Sequence, residues 1–516
     1  MEPLRDYIMT CGQADLAYYE ETDFDFGAFC IVGEEEAVYT PRNAEESPLY
    51  QAVVKNLETF LFDHQQRDRP VPFFVEREMR AFLDCGIPSH GFIRVHCDSC
   101  GHDRIVPFSC KGRGFCSSCG GRRMADTAAH LVDRVLPEVP TRQWVLTLPY
   151  ALRFLMAYDS KLITAINSIF VQAVFTSLRR RARLSHLGRK ARGGAVVFIQ
   201  RFGDALNLNV HFHMLAFDGV YAEDEDGFIR FHVVGPPSDA EVLRLVERIA
   251  RRVEKLMSRE GLNIDAKHDE QPFLAELYGS AVKGRILSGP NAGRQTVRAG
   301  DIENGHGRDE ASSPRCVNLN GVGLHANTAI PARDRVRLER MCRYMCRPPI
   351  ALERLKMLSD GRLQYKLKKH WRDGTSRVIF QPLEMMERLA ALVPAPRFNL
   401  IRYCGVLAPS AAWRRIIIPK EENEGTETAI CKGGSGKNDS CSRPRHYGWA
   451  ELLKRVFSVD VLKCDKCAGR MRILCAVNPP TAIRKILDCI GLPSRPPPIS
   501  PALLRCENGE TAPAPA

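Results

Sequence analysis

Apolar residues along this chain recur in two rhythms, one helical and one alternating, arranged in long blocks. From Leu49 to Leu83 they return at helical spacing, as in Val53, Val54, Leu57, Phe60 and Leu61, which predicts amphipathic helix. A cysteine-rich stretch runs to Arg123, and a helix is predicted from there through Val135. Gln143–Pro149 predicts a buried strand closed by its proline. Leu152 to Arg183 reads as a single long helix. Ala195–Phe202 and Leu208–Phe217 predict two strands, turned at Gly203 to Leu206 into a hairpin. Asp239–Arg259 gathers Val242, Leu243, Leu245, Val246 and Ile249 on one helical face. Gly289–Arg315, rich in Gly, Asn and charge, predicts a loop or flexible insertion. Asp334–Cys346 predicts a helix stopped at Pro348-Pro349. Asp373-Gly374, between Leu363–Lys368 and Ser376–Phe380, predicts a hairpin turn.

Charge and cysteine content narrow the picture. With 516 residues the chain has room for about three domains. Its net charge of +12 is uneven: Met1 to Glu46 carries twelve acids against Arg5 and Arg42, a net of −10, so the remainder carries about +22. The first 46 residues therefore read as an acidic arm of low order. The basic remainder suits a polyanionic partner or a solvated surface, and charge alone does not choose. No apolar run reaches the ~18 residues of a membrane span, and nothing at the N-terminus resembles an export signal. A cytoplasmic protein without a membrane partner is expected. In that compartment nineteen cysteines point to thiols and metal sites rather than disulfides.

Two patterns carry metal chemistry. In Leu208–Phe217, His211 and His213 stand two residues apart on a strand and so project from one face. Neutral imidazoles so placed can hold one cation with open positions, or can be an ordinary half-buried polar pair. Gln200 on the preceding strand could supply a third ligand, or be a strand-end amide. Cys97-x2-Cys100 and Cys116-x2-Cys119, fifteen residues apart, have the spacing of a four-thiolate structural zinc site. Either Cys85 or Cys110 could replace a ligand, or both could be plain buried cysteines, and the latter reading is preferred. Cys464-x2-Cys467 is half a site that Cys431, Cys441 or Cys475 would complete only at irregular spacing, so no metal is assigned there. Lys111, Arg113, Arg122 and Arg123 make the zinc segment basic, as expected of a module that contacts phosphates. Further basic clusters lie at Arg179, Arg180, Arg181, Arg183, Arg189, Lys190 and Arg192, and at Lys366, Lys368 and Lys369.

The predicted helix Arg340–Arg347 carries Tyr344 among Arg340, Arg343 and Arg347. A phenol with a pKa of about 10 needs nearby cations to act as a nucleophile. Three blocks together resemble the HUH-type rolling-circle transposases of bacterial insertion sequences, the IS91 and common-region (ISCR) group. One runs Phe108 to Ala125 through both Cys116 and Cys119. Another runs Ile199 to Gly203 and His211 to Tyr221. The last joins Cys342–Pro349, Trp371–Thr375 and Leu389–Pro394. The resemblance spans about Leu83 to Leu487, broken mainly by the linker.

The resemblance implies an α+β fold: an HUH endonuclease core, with a central antiparallel sheet and flanking helices, preceded by a small zinc-binding module. The expected layout is acidic arm 1–46, zinc-binding domain 47–135 and catalytic domain 140–415 with an insertion near 289–315. A flexible linker 421–445, a small C-terminal module 446–492 and a disordered Pro-rich tail 493–516 complete it. It also implies that His211, His213 and Gln200 hold Mg²⁺ or Mn²⁺, that zinc is structural, and that Tyr344 attacks single-stranded or hairpin DNA at element ends. The products are a 5′-phosphotyrosine and a 3′-hydroxyl. Arg343 and Arg347 would assist, with Lys366 and Lys368, and the protein would be nucleoid-associated. Some relatives carry a second tyrosine four residues earlier. Arg340 stands there in this chain, so the resemblance is to a single-tyrosine branch, in which a second subunit of a homo-oligomer or a hydroxyl end would complete the reaction. A plasmid replication initiator or relaxase would share this chemistry. A non-catalytic zinc regulator or a small-molecule metal hydrolase would not.

Overall fold

A computed structural model describes residues 43–182, 191–260, 271–300, 314–371, 373–419, 447–457, 459–505 and 511–513. Nearly all of the expected acidic arm, the expected linker, and Arg183, Arg189 and Lys190 lie outside these residues. The elements begin with α1 (Pro48–Gln65) and α2 (Phe73–Asp84), β1 (Phe92–Cys97) and β2 (Asp103–Pro107), and α3 (Ser117–Arg134). Then come β3 (Thr141–Thr147), α4 (Tyr150–Tyr158), α5 (Ser160–Arg181), β4 (Gly194–Phe202) and β5 (Leu208–Phe217). After β6 (Gly219–Glu223) and β7 (Ile229–Val233) follow α6 (Asp239–Glu260), α7 (Pro272–Lys283) and β8 (Val297–Gly300). The chain continues through β9 (Cys316–Leu319), β10 (Val322–His325), β11 (Ala329–Ile330), α8 (Arg335–Cys346), β12 (Leu355–Met357), β13 (Leu363–Lys366) and β14 (Thr375–Phe380). It ends with α9 (Pro382–Leu392), β15 (Ile401–Gly405), α10 (Trp449–Phe457), β16 (Met471–Val477) and α11 (Pro480–Cys489).

The central sheet has the order β15-β4-β5-β3-β10-β9, with β11 beside β10 on the same flank of β3. Every pairing in it is antiparallel. Helices cover both faces. Trp144, Leu146, Val197, Ile199, Phe212 and Met214 join the core built with α4, α5, α7 and α9. Val196, Phe198, Leu215 and Phe217 project the other way, against Ala128, Leu131 and Val132 of α3 and Leu338, Met341 and Met345 of α8. Burial on both faces makes β4 and β5 almost continuously buried, so a polar side chain in them lies under a helix layer. The fold is α+β with a central antiparallel sheet, as expected. The Asp373-Gly374 hairpin also forms, pairing β13 with β14.

Four expectations need correction. The single helix over 152–183 is two helices. Asp159, in an extended conformation, breaks it, and its carboxylate caps α5 by accepting from Lys161 N and Leu162 N. α5 is long and apolar enough to cross a membrane by length and composition, but 61% of its apolar window is buried inside the protein. Thr164, Asn167, Ser168 and Gln172 interrupt what would otherwise read as an apolar run. The expected loop from Gly289 holds β8, which pairs with β14 at the end of the sheet β12-β13-β14-β8. The strand of the expected C-terminal module, β16, joins the β1–β2 sheet, and beyond it Leu503–Arg505 pairs with Thr511–Pro513 in a two-stranded sheet. β16 lies antiparallel on β1, and α11 packs Ile483 and Leu487 against Phe92. The Pro-rich tail, expected to be disordered, lies along α1, with Ser500 N donating to Val54 O and Leu503 N to Thr59 Oγ1, both at 3.0 Å.

Candidate functional site

His211 and His213 share the face of β5 that looks toward α8, and the register sets Gln200 of β4 beside His211. Cross-strand partners project to the same side, so the three side chains form one patch. The two Nε2 atoms stand 3.0 Å apart. His211 Nδ1 lies 2.9 Å from Asn209 O. A carbonyl only accepts, so Nδ1 carries the proton and Nε2 presents a lone pair. His213 Nδ1 lies 2.9 Å from the Gln143 amide. The amide's Nε2 faces it and donates, so Nδ1 accepts and the ring proton sits on Nε2, toward His211, where a bound cation would displace it. Two nitrogens bound at ~2.1 Å and at right angles would stand about 3.0 Å apart, the spacing found here. Burial above all, then His211, Arg347 and Lys368, hold His213 well below the usual imidazole range, which keeps it in the neutral, ligating form. Gln200 Nε2 donates to Met345 O at 2.9 Å. Its Oε1 is buried with no hydrogen-bond partner among the described residues. An orphaned oxygen beside two converging nitrogens fits a divalent cation.

Tyr344 sits over this patch. Asp334 caps α8 by accepting from Arg337 N at 3.0 Å, and Pro348-Pro349 ends it. The Tyr344 ring meets His213 edge-on, centroids 5.8 Å apart. The Arg347 guanidinium lies 4.1 Å and the Lys368 ammonium 5.5 Å from the Tyr344 ring centre. Only 6% exposed, Tyr344 has a hydroxyl without a hydrogen-bond partner among the described residues. Beside it opens a cleft of about 140 Å³, lined among others by Asp204, Asn209, His211, Arg347, Arg354 and Lys368. The other tyrosines nearby differ in kind. Tyr365 Oη accepts from Arg354 at 2.6 Å and from Ala351 N at 3.3 Å, and burial pushes its pKa up to about 12 despite Arg354. Burial also raises Tyr403.

The expected cationic residues do not all converge. Arg347 and Lys368 reach the cleft, and Lys366 is exposed on the adjacent β13. Arg343 is held instead by Glu339, which also takes Arg455. Arg123 donates to Lys111 O and Gly112 O at 3.1 and 3.0 Å, and Arg113 to Phe398 O, so both brace the zinc segment. Lys111 and Arg122 flank it; Arg122 is exposed, whereas the Lys111 side chain stands in the exposed turn ahead of α3. Arg179 and Arg180 are exposed at the end of α5, which leads into the N-terminal end of β4, whereas Gln200 lies near the other end. Six strand residues separate Gly194 from Gln200, about 20 Å. Gln143, Asp204, Asn209 and Arg354 were not expected at the site. Gln143 stands beside Arg142 at the head of the strand predicted over Gln143–Pro149, a place where an amide carries no signal of its own.

The thiols form two quartets rather than one. Cys116 and Cys119 join Cys85 and Cys110, and Cys97 and Cys100 join Cys464 and Cys467. Within each set the Sγ atoms all lie within 4.8 Å of one another. Neighbouring separations include 3.3 Å for Cys110–Cys119, 3.7 Å for Cys85–Cys119, 3.5 Å for Cys97–Cys467 and 3.7 Å for Cys100–Cys464. Zn–S bonds of ~2.3 Å in a tetrahedron set sulfurs about 3.8 Å apart. The expected single site fails because the two knuckles lie at opposite ends of the β1–β2 hairpin. Cys97 and Cys100 are at its turn. Phe108 returns to Gly86 and Gly91 at the far end, about 17 Å away along the strand, which brings Cys110 to Cys85. Cys116 caps α3, so its quartet also gains from a helix N-terminus.

Helix-covered sheet, histidine pair and cysteine-rich module together describe a transposase, and comparison with known proteins agrees. Residues 57–148 match the family described as "Transposase zinc-binding domain", and residues 194–414 that described as "Putative transposase". Together these cover more than half of the chain, which belongs to the IS91-type family of insertion-sequence transposases. It is 23% identical over 403 residues, 77% of this chain and 82% of the relative, to the transposase for insertion sequence element IS801 of Pseudomonas savastanoi pv. phaseolicola. No solved structure matches it.

Proposed function

We propose that this protein cuts and rejoins single-stranded DNA at the ends of a mobile element through a covalent tyrosine intermediate. Tyr344 Oη attacks the scissile phosphorus, the P–O3′ bond breaks, and the 3′-oxygen leaves as a hydroxyl once it takes a proton. The phenol's own proton passes to water in the cleft. The phosphotyrosine conserves the bond's energy, so a 3′-hydroxyl can later displace the tyrosine without ATP. His211, His213 and Gln200 would hold Mg²⁺ or Mn²⁺, which supplies Lewis-acid polarisation of a phosphate oxygen. Arg347 and Lys368 balance charge on the phenolate and the phosphate. Of two structural zinc ions, the one held by Cys85, Cys110, Cys116 and Cys119 would brace the N-terminal module, and the one held by Cys97, Cys100, Cys464 and Cys467 would tie that module to the C-terminal segment. With one tyrosine in the site, rejoining draws on a second subunit or a free hydroxyl end. Arm 1–46 and linker 421–445 are taken as segments outside the packed domains, and nucleoid association follows from the DNA partner.

The observation that carries this reading is the buried, unpartnered Tyr344 hydroxyl on an α8 helix packed over the histidine pair. A replication initiator or relaxase would use the same atoms, but the match over both family segments favours the transposase. Incubation with labelled single-stranded terminus DNA and Mg²⁺ or Mn²⁺ tests it. A denaturation-resistant adduct on Tyr344 is expected. Its absence with both metals refutes the proposal.

A further inference from the structure

A second cavity, of about 460 Å³, opens on the other side of the β4–β5 turn. Its size is in the range of small-molecule pockets, ~300–1,000 Å³. Two aromatic rings line it, Tyr150 at the start of α4 and Trp371 in the β13–β14 hairpin. Tyr150 is 62% exposed, unusual for so large a ring. Each ring carries a guanidinium: Arg153 lies 4.5 Å from the centre of Tyr150, and Arg298 lies 4.7 Å from that of Trp371. Lys283, Arg285 and Arg298 are exposed around it, and no acid is among its lining residues. The carboxylates touching its lining are Glu384, buried under Arg388 and Thr296, and Asp373, 3.5 Å from Arg298. The floor is rigid. Arg388 there bonds Thr296 Oγ1 at 2.6 Å, and Glu384 and Arg285 O at 3.1 Å.

This cavity adjoins the Tyr344 cleft across two short segments. Gly203 and Asp204 line the cleft, whereas Ala205 and Asn207, in the same turn, line the cavity. Lys368 lines the cleft and Trp371 the cavity, three residues apart and so within about 11 Å. Asp204 binds the two segments together, accepting from Lys368 N at 3.0 Å and pairing with Arg354 at 3.1 Å. Flat aromatic faces amid exposed cations suit a ligand that is flat, aromatic and anionic.

We propose that this cavity receives unstacked bases of the DNA strand next to the scissile phosphate, stacking them on Trp371 and Tyr150 while Lys283 and Arg285 meet the backbone. The proposal rests on the strand-cutting reading above. A duplex hides its base faces, so the cavity would select unpaired DNA and hold the strand in register with Tyr344. Stacking tolerates any base, so the selection is for single-strandedness more than for sequence.

The test measures binding of the full chain to a labelled single-stranded oligonucleotide and to the same strand with one abasic position moved along it. Trp371→Ala should raise Kd ~5–150-fold, the usual loss for one stacked base. Trp371→Phe, which keeps a ring, should lose much less, and Tyr150→Ala should also weaken binding. None of these should change the dependence on salt, since every phosphate-facing cation is kept, whereas Arg285→Ala should flatten it. In the parent one abasic position should cost as much as Trp371→Ala, and the two together no more than either. Zinc content and melting temperature report on folding. If the parent binds and cuts single strands while Trp371→Ala and Tyr150→Ala bind as it does, this inference falls and the strand-cutting reading stands. A parent that binds no single strand overturns both. Equal displacement of the strand by a free deoxynucleoside monophosphate in parent and Trp371→Ala would also overturn it.

Discussion

In each thiol quartet four Sγ atoms lie within 4.8 Å of one another and face inward. In the histidine patch two nitrogens and one amide oxygen gather beside a cleft lined by His211, Arg347 and Lys368. A tetrahedral ion in the first arrangement would have no room for another ligand, whereas an octahedral ion in the second would keep half of its positions vacant. The quartets also differ from each other. One draws its cysteines from Cys85 to Cys119 and is mostly buried, whereas the other joins Cys97 to Cys467 across 370 residues and leaves two of its members exposed. On the proposed function closure goes with structural duty and openness with chemistry, and among the described residues the buried Tyr344 hydroxyl, without a hydrogen-bond partner, stands beside the open site.

The sharpest way to break this contrast is Tyr344→Phe, which should abolish the covalent DNA adduct while zinc content, melting temperature and strand binding stay at parental values. An adduct mapped by mass spectrometry to another tyrosine would overturn the assignment. Replacing His211 and His213 by Ala should slow cleavage about 10²–10⁴-fold, the worth of several kcal/mol of Lewis-acid assistance. Raising Mg²⁺ or Mn²⁺ should not restore it, and full nicking by this variant would sink the cation role. Arg347→Ala should cost about 10²-fold in adduct formation, read as a single-turnover rate at saturating DNA. An unchanged rate would remove it from the chemistry.

The quartets should respond in the opposite way. Elemental analysis of Cys116→Ser and of the Cys464→Ser, Cys467→Ser double variant should each show one zinc missing of two. Loss of the buried quartet should unfold the N-terminal module, since a structural zinc is worth on the order of 10 kcal/mol. Loss of the exposed one should free the C-terminal segment to proteolysis while single-turnover cleavage stays within a few-fold of parental. Unchanged zinc in either variant would remove that quartet from the account. The smallest effect is expected at Arg179 and Arg180, exposed at the end of α5 and outside the residues that line the Tyr344 cleft. Changing both to Ala should leave the cleavage rate alone and reduce the salt slope of binding by at most about 0.7 for each phosphate no longer neutralised.

Local pattern made much of this legible. Alternation located β4 and β5, and the i, i+2 spacing put His211 and His213 on one face because strand geometry permits nothing else. The α8 helix and the Asp373-Gly374 hairpin follow from capping and turn chemistry. The pairing of distant segments was not legible. Cys97-x2-Cys100 and Cys116-x2-Cys119 have the spacing of one site, yet a hairpin drives them apart, and spacing carries no record of that. A count did: three Cys-x2-Cys knuckles plus Cys85 and Cys110 make eight thiols, enough for two tetrahedra. Likewise, Arg343 and Arg347 look equivalent in sequence, but Arg343 lies within α8 and is held by Glu339, whereas Arg347 lies just past the helix end, in extended backbone, and its guanidinium reaches the Tyr344 ring.

The pairing of β1 with β16 and of Cys97 with Cys467 also sets an order of events during synthesis. The hairpin bearing Cys97 and Cys100 leaves the ribosome some 370 residues before its partners, a wait of roughly 20–70 s at ordinary elongation rates. The histidine hairpin and the Tyr344 helix both emerge within that interval. The core can thus fold around its own local contacts, and the N-terminal module is sealed only once Cys464 and Cys467 have emerged. A message truncated before Cys464 would yield a chain with the cutting residues present and the outer edge of β1 left bare, a sheet edge open to pairing with other chains.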